Sequence, residues 1–137
     1  MSDILMQKKA SIERRIKQAR DYYAIASEKP FSEDFLRQDA IVANLHRACE
    51  QCIDMANHLI RVKKLGLPTE TADSFRLLGK AGIIDAELEK KLIGMVGFRN
   101  IVIHEYQKIN YRLVEDVVKK HADDLITFAG ILLALSQ

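Results

Sequence analysis

The chain has 137 residues, of which 48% are hydrophobic and 29% charged, with only 2 Pro and 6 Gly and a formal net charge of +2. That length suits a single domain, spanning 1–137, with a core that needs no metals or disulfides, and the composition excludes disordered and collagen-like chains. No N-terminal apolar run resembles a signal peptide, and no uninterrupted apolar stretch is long enough to span a bilayer, so a cytoplasmic protein with no membrane partner is expected.

Taken in chain order, the apolar spacing is helical throughout. The first helix is expected over 3–27, with Ile4, Leu5, Ile12, Ile16, Ala19, Tyr23 and Ala26 on one broad stripe. Its basic residues, Lys8, Lys9, Arg14, Arg15, Lys17 and Arg20, form a solvated face in the ordinary reading and a phosphate-tracking surface in the less common one. Pro30 ends this helix, and Ser32 is expected to cap the second, over 33–65, whose apolar series runs from Phe35 and Leu36 to Ile60 and Val62. Gly66 followed by Pro68 stops it. A connector with Thr69, Thr71, Asp73 and Ser74 leads into a short helix around 72–80, closed by Gly82. Asp85 is expected to cap a fourth helix carrying Leu88, Leu92, Ile93, Val96, Ile101, Val102 and Ile103. Asn110 breaks that pattern and caps the last helix, over 111–135, which ends in the almost wholly apolar "AGILLALSQ". Core packing accounts for part of that ending and a subunit interface for the rest. The expected fold class is therefore all-α: an antiparallel four-helix bundle with one additional short helix, homodimeric.

Cys49 and Cys52 lie three apart in the second helix, which reads as a reduced, intracellular protein. With His46 they place three possible metal ligands on one helix face. A closed zinc site needs a fourth ligand and a sharper turn between its cysteines, so two buried thiols and a surface His are expected, with no metal or cofactor. His58 and His121 are expected at the surface.

The stretch "GFRNIVIHEY", residues 97–106, sets Arg99, His104 and Tyr106 among residues suited to a buried helix. At about 100° per residue, Arg99 and Tyr106 share a face, Asn100 and His104 share another, and Arg99 stands roughly 140° from His104. One straight helix does not aim both at a small target. Either the helix loosens near His104, or the target is wide, or a second copy supplies the missing groups. The residue types suit RNA cleavage: histidine serves as acid or base near neutral pH, and guanidinium meets the charge that builds on phosphorus oxygens. Tyr106 suits phosphate contact or orientation of His104. On spacing alone, capping of carbonyls or an ion pair with Glu105 is the more economical reading of Arg99 and His104.

Arg47, Glu50, Asp54 and Arg61 fall on one polar stripe of the second helix. They read either as intrahelical pairs or as groups that orient Arg99, with Glu50 and Asp54 the two to examine. Gly94 and Gly97 interrupt the helix before Arg99, which fits close helix approach across a dimer or a tolerated loose turn.

"RNIVIHEY" resembles the R-x4-H-x-Y signature of the HepT-like toxins in the HEPN superfamily, at Arg99, His104 and Tyr106, with the polar Asn100 also matching. The helix order, the second helix "AIVANLHRACEQCIDMANHLI" and the short insert are similar too, so the resemblance spans nearly the whole chain. It implies an all-α homodimer that cleaves RNA without metal, with Arg99 and His104 catalytic at the dimer interface and Asn100 and Tyr106 beside them. It also implies an antitoxin partner, an MntA-type minimal nucleotidyltransferase that transfers AMP to Tyr106. Adenylyl phosphates there add negative charge and bulk where substrate phosphate must sit. The competing expectation is a non-catalytic helical module that docks a nucleotidyltransferase or binds nucleotide.

Overall fold

The structure is a computed structural model and describes residues 2–136. The helices are α1 (Ser2–Ala24), α2 (Phe35–Lys63), α3 (Thr71–Lys80), α4 (Ala86–His104), α5 (Tyr111–Asp116) and α6 (Ala122–Leu135), with a π-helical stretch, Val117–His121, joining the last two. Short 3-10 turns occupy Phe31–Glu33 and Tyr106–Lys108, and no strand occurs among the described residues. The long helices form an antiparallel bundle in which α1 lies along α2 and α6, while the short α3 packs against α4 and α2. The all-α expectation is borne out.

The inward stripes follow the helical period. Ile12, Ile16 and Ala19 of α1 are fully buried, as are Ile41, Leu45, Ala48, Met55 and Ala56 of α2. Phe75 of α3 meets Phe128 of α6 edge-on, ring centroids 5.3 Å apart, and this contact holds the short helix to the bundle. Ile4 and Ala26 stand outside the α1 stripe, both exposed. The first turn of α2 also departs from expectation: Phe35 and Leu36 are 68% and 83% exposed, and the buried stripe begins later, at Gln38 and Ile41.

Helix ends shift by a few residues for local reasons. α1 stops at Ala24 because the connector's carbonyls are taken by α2: Arg37 Nη1 donates to Ile25 O at 2.7 Å and Gln38 Nε2 to Phe31 O at 2.7 Å. Asp34, not Ser32, caps α2, accepting from Arg37 N at 3.2 Å, while Ser32 lies within the 3-10 turn. α2 is closed by Lys64, just past its end, in the left-handed region at φ 53°. Gly66 follows at φ 139°, where an added Cβ would also sit 3.0 Å from Leu77 Cδ2. A reciprocal cap between Glu70 and Asp73 starts α3. Asp85 and Asn110 cap α4 and α5 as expected, accepting from Leu88 N at 2.8 Å and Leu113 N at 3.0 Å.

The last helix is not continuous. His121 Nε2 lies 3.2 Å from Asp116 Oδ2, a pair five residues apart. A regular α-turn keeps such a pair on different faces, whereas the wider π-turn brings them together. Beyond it, Ala129 and Leu132 are buried in the bundle, Gly130, Ile131 and Leu133 are half-buried and Ala134 and Leu135 are exposed, so the core takes part of the apolar ending; Gln137 lies outside the described residues.

Candidate functional site

Leu88, Leu92, Met95, Val96 and Phe98 anchor α4 in the core and fix its rotation. That rotation turns Arg99 towards α2, where its Nε donates to Glu50 Oε1 at 2.6 Å. Its Nη1 donates to Asn100 Oδ1 at 3.0 Å and lies 3.4 Å from Thr71 Oγ1 at the start of α3. Two edges of the guanidinium are thereby tied to the bundle, and Nη2 makes no hydrogen bond among the described residues. The arrangement leaves the Nη2 amino group free for an anion on a side chain that is 20% exposed. His46 Nε2 lies 3.7 Å from the same Glu50 oxygen that Arg99 uses.

α4 stays helical through His104 and ends there: Glu105 N donates to Ile101 O at 2.9 Å, and the chain enters the 3-10 turn at Tyr106. The helix therefore does not loosen between Arg99 and His104, and their separation of roughly 140° around the axis stands. His104 is exposed, with no hydrogen bond among the described residues, and Glu105 pairs with Lys108 at 3.1 Å instead of with Arg99 or His104.

Tyr106 does not share a face with Arg99, because it lies past the helix end. Its hydroxyl crosses to α2 and donates to Asp39 Oδ1 at 2.7 Å. Partial burial, and then the Asp39 hydrogen bond and charge, push the phenol up to about 12. The ring borders an open cavity of about 390 Å³ that Phe35, Gln38, Asp39, Asn110 and Tyr111 also line.

The polar stripe of α2 divides. Glu50 reaches Arg99, but Asp54 pairs with Lys8 of α1 at 3.3 Å and does not join the site; Arg47 and Arg61 are exposed. Four residues on a helix advance by about 40°, which is enough to send Glu50 to α4 and Asp54 to α1. The expectation that Asp54 orients Arg99 is corrected by this placement. Cys49 and Cys52 are buried, and burial pushes Cys49 up to about 12 and Cys52 well above its ordinary range. Cys52 Sγ lies 3.7 Å from Leu125 O. Among the described residues, no group of three His, Cys, Asp or Glu is placed to hold a metal ion. His58 is half-buried, short of the surface position expected, whereas the His121 side chain is 41% exposed, as expected, and pairs with Asp116.

Gly94 and Gly97 border an open apolar groove of about 370 Å³ with Met95, Phe98, Ile101, Leu113 and Val117. A Cβ added at either glycine would meet nothing within 4 Å, so packing inside this chain does not require them. Gly94, Gly97, Ile101 and His104 follow the three-four spacing of one helix face, so the groove runs towards the exposed His104.

Two residues of the site were missed from sequence, Asp39 and the role of Thr71. They lie 67 and 28 positions from the side chains they touch, and no local pattern announces either.

A family profile described as "Ribonuclease HepT-like" matches residues 12–131. The chain is 42% identical, over 134 residues, to the mRNA nuclease HepT of Shewanella oneidensis, covering 98% of this chain and 99% of that one. Its structure is similar to the tri-AMPylated Shewanella oneidensis HEPN toxin in complex with MNT antitoxin, with a TM-score of 0.89, 42% identity and coverage of 98% and 99%. It is similar also to a toxin–antitoxin with AMP-PNP, with a TM-score of 0.89, 41% identity and coverage of 96% and 98%.

Proposed function

This chain belongs to the HepT-like ribonuclease family, and from that premise we propose that it is the toxin of a toxin–antitoxin pair, an endoribonuclease acting as a homodimer. Its partner is an MntA-type nucleotidyltransferase that neutralises it by AMP transfer to Tyr106. Its substrate class is mRNA, as in the 42% identical relative. We place the activity in the cytoplasm; among the described residues no helix is long and apolar enough to cross a membrane.

The observation that carries this reading is the unequal treatment of Arg99 and His104. Arg99 is held on two edges by Glu50, Asn100 and Thr71, while His104 ends its helix exposed and without a partner. With Arg99 held in place and its Nη2 left over, and His104 open to solvent, both side chains are able to meet an incoming phosphodiester. Because the two residues face different directions on α4, a second copy completes the site. The glycine-bordered groove leading to His104 gives that copy a place to approach closely.

In the cleavage step, the ribose 2′-oxygen attacks the adjacent phosphorus as a histidine takes its proton. The new P–O bond closes a 2′,3′-cyclic phosphate, the bond to the 5′-oxygen breaks, and a second histidine protonates that oxygen. The two copies of His104 supply base and acid, and the free Arg99 Nη2 amino group meets the non-bridging oxygens as charge accumulates on them. AMP on Tyr106 adds a phosphodiester charge and a nucleoside two residues beyond His104, where an RNA strand would have to pass.

Purified protein is expected to cleave RNA in EDTA, leaving 2′,3′-cyclic phosphate ends, and Arg99→Ala and His104→Ala are each expected to stop it. Cleavage by both variants at the parent rate would overturn the assignment.

A further inference from the structure

We infer that Asp39 is the general base for the modification of Tyr106, accepting the phenol proton as the hydroxyl attacks an adenylyl donor; this rests on the reading of Tyr106 as the AMP acceptor. The geometry carries it. Asp39 Oδ1 lies 2.7 Å from the Tyr106 hydroxyl, so the acceptor for the proton is already in hydrogen-bond contact with the nucleophile. The two residues come from elements 67 positions apart in sequence and meet at the edge of α2, where both are exposed and an incoming phosphorus has access. Beside them, the cavity of about 390 Å³ offers the room that a nucleoside needs, with Phe35 68% exposed on its wall.

The chemistry requires such a base. The phenol is pushed up to about 12, so the hydroxyl carries its proton at neutral pH and attacks poorly unless that proton is removed. Among the residues that line the cavity, Asp39 is the only carboxylate. The step balances with a nucleoside triphosphate held by the nucleotidyltransferase. The Tyr106 oxygen forms a bond to the α-phosphorus, the bond from that phosphorus to the bridging oxygen of the β-phosphate breaks, pyrophosphate leaves, and the phenol proton passes to Asp39. No oxidant or reductant enters.

The variant that separates a base from a mere anchor is Asp39→Asn. An asparagine oxygen still accepts the Tyr106 hydrogen bond but does not take its proton. Asp39→Glu keeps a carboxylate at a slightly altered reach. The complex of toxin and nucleotidyltransferase is mixed with ATP, and addition of the first AMP is followed by intact mass in single turnovers, with thermal melting as the control for folding. Asp39→Asn is expected to lower the rate about 100-fold, the lower end of what general base catalysis contributes, with the ATP concentration for half-maximal rate unchanged and Asp39→Glu recovering part of the loss. A rate for Asp39→Asn within about threefold of the parent protein, or equal losses in the Asn and Glu variants, would overturn the role of Asp39 while leaving Tyr106 as acceptor. Modification that persists in Tyr106→Phe would overturn both.

Discussion

Replacing Glu50 by glutamine keeps an oxygen at the position where Arg99 Nε donates, 2.6 Å away, and removes its charge. The guanidinium stays charged, so its bond to a glutamine oxygen is still charge-assisted; what the substitution removes is the ion-pair attraction, worth up to about 1 kcal/mol for a partly exposed pair. The side chains are 20% and 39% exposed, so solvent screening holds the expected loss to about 1 kcal/mol. If Arg99 acts in the transition state, that loss lowers kcat roughly fivefold. A second effect has the opposite sign for binding. Without the carboxylate, the guanidinium is less neutralised and attracts ground-state phosphate more strongly. Glu50→Gln is therefore expected to show kcat down about fivefold with KM unchanged or lower, and Glu50→Ala a larger fall in kcat because the acceptor is gone as well. Initial rates of RNA cleavage over a range of substrate concentrations give both constants. A raised KM with kcat at the parent value would mean that Glu50 serves uniform binding only, and would refute the positioning argument.

The remaining predictions concern Tyr106, just past α4, and Gly97 within it. In an alkaline absorbance titration, the Tyr106 phenol is expected to ionise late, at about 12, and Asp39→Asn is expected to lower it only in part, because burial, the larger cause, remains. Because the folded value is raised, the stability linked to this phenol is fully present below about pH 10 and is lost as pH climbs through the folded value; a Tyr106 that ionises with the other tyrosines would contradict this. Gly97→Ala is expected to raise the melting temperature of the monomeric unit by the equivalent of about 1 kcal/mol, since its Cβ meets nothing within 4 Å. Gly97→Leu is expected to leave the chain folded and weaken the dimer in sedimentation measurements; an unchanged dimer would remove the groove from the interface.

The features legible in the sequence are those that depend on near neighbours along the chain. The buried stripes of α1 and α2, and the caps at Asp85 and Asn110, follow from spacing and from an Asx side chain just before an apolar run. Near Pro30 the same rule misleads. Ser32 and Asp34 both qualify as caps, and the choice falls to the one whose backbone lets Arg37 and Gln38 tie down the connector. The stop after His104 carries no Gly or Pro, although the β-branched run Ile101, Val102 and Ile103 weakens the helix just before it. Helical arithmetic extended past that stop is what wrongly put Tyr106 beside Arg99. Within the site, the motif residues could be named from sequence, but their partners could not be sorted. Glu50 and Asp54 look equivalent on a helical wheel and are separated only by which neighbouring helix each meets, and Asp39 has no sequence signal at all.

That sorting bears on how the proposed AMP at Tyr106 would silence the site. Arg99 is anchored to α2 at Glu50 and Tyr106 at Asp39, positions 11 residues apart on one straight helix. At about 1.5 Å per residue, the two anchors lie about 16 Å apart along its axis. An AMP on Tyr106 starts from the Asp39 end of that distance, and each further nucleotide in a strand adds at least about 3.4 Å, so the first addition is the one that covers the Arg99 of its own copy least. Three added in succession to one tyrosine would extend over a large part of the gap. Inhibition is therefore expected to be graded: protein with one AMP keeps measurable cleavage and tighter phosphate binding at Arg99, and further additions remove both. Fractions separated by charge, identified by intact mass and assayed for cleavage, test this directly. A singly modified protein as inactive as a triply modified one would show that crowding His104 is sufficient and that the distance along α2 has no part in it.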